Sequence, residues 1–176
     1  MKKLLVAVVL FATTIVSAQK NSVLVGGNVG FSSEKIGESK LENFEFAPKV
    51  GYQFTDNWTA GVEGSIMNVK TTGLESTEKY KIGGFVRYSV PLSEVFSVFA
   101  DLGAGYQSTS LNDAKGIYAS LTPALFINMK RGFGLNFSIG GINYDNLDGK
   151  NDPRQERFGF NFGKTFSIGV SKNFGL

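Results

Sequence analysis

Residues 158–174 read FGFNFGKTFSIGVSKNF, with large apolar side chains at Phe158, Phe160, Phe162, Phe166, Ile168 and Val170. Gly159, Asn161, Gly163, Thr165, Ser167, Gly169 and Ser171 lie between them. A period of two marks a strand with two unlike faces. At about 3.3 Å per residue the run is longer than most strands of soluble proteins and fits a tilted strand crossing a bilayer with overhang. The stretch reads as the closing strand of a transmembrane β-barrel.

Seven further runs alternate in the same way. Residues 22–32 carry Val23, Val25, Val29 and Phe31 on one face, and residues 42–54 carry Phe44, Phe46, Val50, Tyr52 and Phe54. Trp58, Ala60, Val62 and Ile66 define the third run, and Tyr80, Ile82, Val86, Tyr88 and Val90 the fourth. The fifth places Phe96, Val98, Ala100, Leu102, Ala104 and Tyr106 together, and the sixth Ile117, Ala119, Leu121, Leu125 and Ile127. In the seventh, Phe133, Leu135, Phe137 and Ile139 oppose Gly134, Asn136, Ser138 and Gly140.

The connections alternate between long and short. Residues 33–42, 71–77, 108–115 and 145–157 are polar and read as loops, whereas 55–57, 91–94 and 128–132 read as tight turns rich in Asp, Asn, Pro, Ser and Gly. Long loops on one side and short turns on the other are the asymmetry of an outer-membrane barrel whose N-terminus lies in the periplasm. The fold expected is all-β: an eight-stranded antiparallel up-and-down transmembrane β-barrel.

Alternation alone does not say which face meets lipid, because a lipocalin or a β-sandwich turns the same stripe inward. Here the opposite face is mostly Gly, Ser, Asn and Ala, which suits the narrow interior of an eight-stranded barrel rather than the charged exterior of a soluble one. The inward register also holds Glu45, Lys49, Glu63, Lys81, Arg87 and Asp101, expected to pair and to hydrogen-bond with Ser, Asn and Gln neighbours, and Phe85, Phe99 and Phe126, expected to fill the lumen. A path for small anions along Lys81 and Arg87 is the competing reading of those cations. In the apolar register Phe54, Trp58, Tyr88, Phe96, Phe133 and Phe174 lie beside the short turns. Phe31, Phe44, Tyr80, Tyr106 and Phe158 lie toward the other end, so two belts at two membrane interfaces are expected. Lys164 and Lys172 fit badly in the lipid-facing register; snorkelling accounts for Lys172, and a bulge near Gly163 serves equally for Lys164.

Lys2 and Lys3 precede an apolar run from Leu4 to Val16, followed by Ser17 and Ala18. Residues 1–18 read as a secretory signal peptide cut after Ala18, leaving one barrel domain over residues 19–176. The run is shorter than the ~20 apolar residues of a spanning helix. Formal charge is +3; losing Lys2 and Lys3 leaves the mature chain near +1, which gives nucleic-acid binding no electrostatic support. The 22 glycines in 176 residues far exceed the usual ~7%.

With no histidine and no cysteine, the chain lacks the usual general base, the thiol nucleophile and most transition-metal ligands. No enzyme activity, cofactor or metal site is expected. Asp145, Asp148 and Asp152 do not have calcium-loop spacing and read as a solvated loop. No helix follows Gly103-Ala104-Gly105 to make it a phosphate loop.

The hairpin GYQFTDNWTAGVEGS, the stretch VPLSEVFSVFADLGAGYQ and the amphipathic last strand are similar to the small outer-membrane β-barrel proteins, OmpA-type transmembrane domains and OmpX-like proteins. The likeness spans the mature chain. One departure is the end Phe174-Gly175-Leu176, where that family commonly ends on an aromatic residue. The resemblance implies integral residence among outer-membrane lipids after insertion by the barrel-assembly machinery, with a structural role or contact with an unidentified extracellular ligand through the outer loops. A narrow porin and a soluble exported lipocalin-like barrel are the alternatives.

Overall fold

The computed structural model describes residues 22–131, 133–149 and 154–175, without the side chains of residues 36, 130 and 164–166. The expected signal segment lies outside the described residues. Eight strands run in order: β1 (Ser22–Ile36), β2 (Ser39–Gln53), β3 (Trp58–Thr71), β4 (Thr77–Pro91), β5 (Phe96–Thr109), β6 (Lys115–Lys130), β7 (Phe133–Asp148) and β8 (Gln155–Gly175). Each is antiparallel to the next, and β8 returns to pair with β1, so the sheet is a closed barrel. Over the stretch where β1 meets β8, closure pairs the edges that an open sheet would leave exposed.

The short turns are fixed by side chains. Thr55 Oγ1 accepts the backbone N–H of Trp58 at 3.0 Å, and Ser93 Oγ accepts that of Phe96 at 3.0 Å, the same local device at two neighbouring turns. Asn57 Nδ2 donates to the Ser89 carbonyl at 2.7 Å and so ties one turn to the next hairpin.

At the opposite end the structure corrects the sequence reading. The expected loop 33–42 is almost wholly ladder: Glu34 pairs with Leu41, Lys35 with Lys40 and Ile36 with Ser39, leaving Gly37 and Glu38 as the turn, with Gly37 at φ 62°. Likewise β7 runs on to Asp148 instead of ending at Gly140, and Leu147 pairs with Gln155. The cause is the barrel beneath. Once register is fixed lower down, the antiparallel ladder extends on through these polar residues.

Two glycines break the alternation. At Gly140, φ 107°, β7 gains a residue relative to β6, and at Gly163, φ 73°, β8 departs from its ladder with β7 until Ser167 pairs with Ser138. These are bulges, for which a left-handed backbone without a Cβ is needed. The bulge alternative for Lys164 therefore fits the backbone, while Lys172 stays in the outward register near the inner end, its Nζ 4.8 Å from the Phe174 ring. Pairing of β1 with β8 covers only Ser22–Asn28 against Gly169–Gly175; above Asn28, β1 pairs with β2 alone.

The apolar stripe faces outward. Phe31 and Phe158 are each 70% exposed and Tyr106 73%, whereas Leu24, Phe85, Phe99 and Tyr118 are buried in the lumen. The lipocalin-like alternative needs the reverse. All the aromatics expected at the interfaces, Phe31, Phe44, Phe54, Trp58, Tyr80, Tyr88, Phe96, Tyr106, Phe133, Phe158 and Phe174, lie exposed on the exterior. Trp58 and Tyr88, paired across β3 and β4, have ring centroids 4.8 Å apart.

Candidate functional site

The lumen is the candidate site, and small residues create it. At Gly51 and Gly61 a Cβ would stand 2.9 Å from the Phe85 ring, and one at Gly103 would collide with the Glu63 carboxylate. Glycine at these inward positions lets large side chains from opposite walls meet across a narrow barrel.

Inside that space four charges form one network. Asp101 on β5 takes Arg87 Nε at 2.6 Å and Nη2 at 2.9 Å, a two-point pairing between adjacent strands in register. Lys49 Nζ, from β2 across the lumen, lies 2.9 Å from Asp101 and 2.9 Å from Glu63. Tyr118 Oη donates to Glu63 at 3.0 Å. Aromatic faces close the remaining sides: the Arg87 guanidinium lies 3.7 Å from the Phe99 ring centre, and Lys49 Nζ 5.1 Å from that of Phe85. Arg87 and Asp101 are 8% and 5% exposed, a burial bearable only because each charge has a partner. Two cations against two anions make the cluster formally neutral.

The other two expected members sit apart. Glu45 takes a hydrogen bond from Ser65 Oγ at 2.9 Å and has no ion-pair partner among the described residues. Lys81 pairs with Asp145 at 2.9 Å and lies 4.9 Å from the Tyr118 ring centre. Asp145 is expected in a solvated loop. The Gly140 bulge and the longer β7 bring it inward, opposite Tyr118. Its signal in the sequence is only the resumed alternation of Ile142 and Tyr144 with Asn143 and Asp145 beyond a glycine pair.

Space in the lumen is uneven. Around Leu24, Asn28, Arg87, Asp101, Asn136 and Ser171 a cavity of about 50 Å³ remains. Toward the outer end it widens to about 630 Å³ between β3, β4, β5, β7 and β8. Among the described residues no three His, Cys, Asp or Glu side chains are grouped to hold a metal ion.

The model of the outer membrane protein beta-barrel domain matches residues 4–174. The chain belongs to that family. It is an integral outer-membrane barrel, and association with membrane lipids follows from its apolar exterior. In fold this family member is similar to the outer membrane protein OprG from Pseudomonas aeruginosa, at 11% identity over 89% of this chain and 95% of that one, TM-score 0.47. It is also similar to Ail of Yersinia pestis, at 15% identity over 88% and 99%, TM-score 0.46. Outer membrane protein W of E. coli gives 10% identity over 88% and 98%, TM-score 0.46. Comparison with curated proteins gives no match.

The packing around Gly103 has a direct consequence. Gly103→Val is expected to push Glu63 away from Lys49 and Tyr118, at a cost of about 1–3 kcal/mol from overpacking. Urea unfolding of the refolded barrel in lipid vesicles measures it; an unchanged midpoint would contradict the close approach.

Proposed function

We propose that this barrel is a non-catalytic structural or surface-interaction protein of the OmpA-type and OmpX-like kind. In this reading it is exported with cleavage after Ala18 and inserted by the barrel-assembly machinery. The observation that carries the role is the plug: Arg87, Asp101, Lys49 and Glu63, bracketed by Phe85 and Phe99, leave about 50 Å³ beside them, too little for a continuous aqueous path. A barrel so filled offers the outside only its outer hairpins and the mouth of its lumen. The absence of His and Cys from the sequence supports the non-catalytic reading. The exterior aromatics serve as interface anchors. Phe44 and Phe54, Tyr80 and Tyr88, and Phe96 and Tyr106 are roughly eight to ten residues apart along their strands, which matches an apolar band about 25 Å tall at the usual strand tilt.

Planar-bilayer recording tests the role. The purified barrel is expected to give no stepwise conductance, whereas reproducible open-channel steps would favour the narrow porin. Gel mobility of the outer-membrane fraction, loaded with and without boiling, checks that the sample recorded is the folded barrel.

A further inference from the structure

The plug leaves the outer half of the lumen open, and the charges there are of a different kind. Among the described residues, Lys79, Lys81, Arg154 and Arg157 line the 630 Å³ cup together with only two carboxylates, Asp145 and Glu156. Both carboxylates are engaged. Asp145 holds Lys81 at 2.9 Å, and Glu156 lies 3.3 Å from Arg154, whose Nε also donates to Asn146 at 3.0 Å. Lys79 and Arg157 have no acidic partner among the described residues. Register places them on opposite walls. Lys79 is the inward position of β4 between Met67 and Thr109, and Arg157 pairs with Asp145 across β7 and β8. Glu45, the other carboxylate in this lumenal row, lies two strands from Lys79 and is held by Ser65.

We propose that this cup is a binding site for a phosphate-bearing anion. The inference rests on the plugged-barrel reading and names the chemistry of what the outer face binds. Two unneutralised cations facing each other across a concavity repel unless an anion lies between them. The cup lies within the ~300–1,000 Å³ of ordinary ligand sites. An Arg fork with Lys point charges suits tetrahedral phosphate oxygens, and the charge of a phosphate group matches the two free cations. The same chemistry is available from a soluble phosphorylated molecule and from a phosphate on an outer-leaflet glycolipid.

Calorimetric titration of the refolded full barrel with tripolyphosphate, in phosphatidylcholine nanodiscs at low salt, reads the site. Saturable binding of one anion per barrel is expected, weakened by at least about tenfold in K79Q/R157Q. K79Q alone should lose part of that affinity. K35Q, a cation near the outer tip of β1 and outside the cup, should match the unaltered chain. The boiling shift confirms that each variant is folded. Repeating the titration in nanodiscs containing lipid A separates the sources. Lost uptake assigns the site to the lipid phosphate, and retained uptake assigns it to a soluble ligand. Absence of saturable binding, undiminished affinity in K79Q/R157Q, or an equal loss in K35Q would overturn the proposal. Because conductance reads the plug and not the cup, that failure would leave the plugged-barrel reading standing.

Discussion

Asp101→Ala is expected to lower the unfolding free energy of the barrel in lipid vesicles by about 3–5 kcal/mol, the usual cost of removing one partner from a buried ion pair. The side chain lost is the one that both Arg87 and Lys49 use. Lys49 still has Glu63 at 2.9 Å, but among the described residues Arg87 keeps only the face of Phe99. A guanidinium in that position must draw water into the lumen or leave its site. R87M/D101M, which removes both charges and keeps apolar volume, should cost much less, because desolvation of the ions disappears together with their attraction. Urea titrations of the two variants decide it. If D101A shifts stability by less than about 1 kcal/mol, or if the double variant is as damaged as the single, the network does not hold the lumen together. Water admitted by D101A should also appear as current in the bilayer recording that is silent for the unaltered chain.

Leu102→Arg is the second large effect, and it tests the outer face. Leu102 projects outward between Phe96 and Tyr106 on β5 and is 59% exposed. A midplane Arg on the lipid side of a barrel costs about 2–4 kcal/mol. In a water-soluble barrel the same exposed position would accept Arg with almost no penalty. Leu111, equally exposed at 59% but in the short helical segment (Leu111–Asp113) above β5, serves as the control. L111R should be nearly neutral. The comparison is read from vesicle unfolding and from the fraction of each variant that gains the boiling-sensitive band. Equal tolerance of both substitutions would contradict a lipid-facing β5.

These two residues also mark what was legible in the chain. Leu102 and Asp101 are neighbours in sequence with opposite environments, and period-two alternation assigns both correctly because side-chain direction in a strand is a local property. The same locality made strand number, the turns at Thr55 and Ser93 and the inward set of Glu45, Lys49, Glu63, Lys81, Arg87 and Asp101 readable. Pairing among those six was not. Lys49 meets Asp101 from three strands away, which depends on the stagger of the whole barrel. Glu45 and Ser65, on the adjacent strands β2 and β3, make the other kind of contact expected of these charges, a hydrogen bond to a serine neighbour.

Sequence by itself determined that this protein is a barrel of eight two-faced strands whose small polar face must be enclosed, since hydrophobic period and turn chemistry act over a few residues. Tertiary structure alone decided how far each strand runs into water, where Gly140 and Gly163 shift the register, and that Asp145 therefore turns inward to Lys81. Those outcomes depend on ladders between strands distant in sequence. A polar segment such as residues 33–42 or 145–148 has no local preference strong enough to resist the pairing imposed from below.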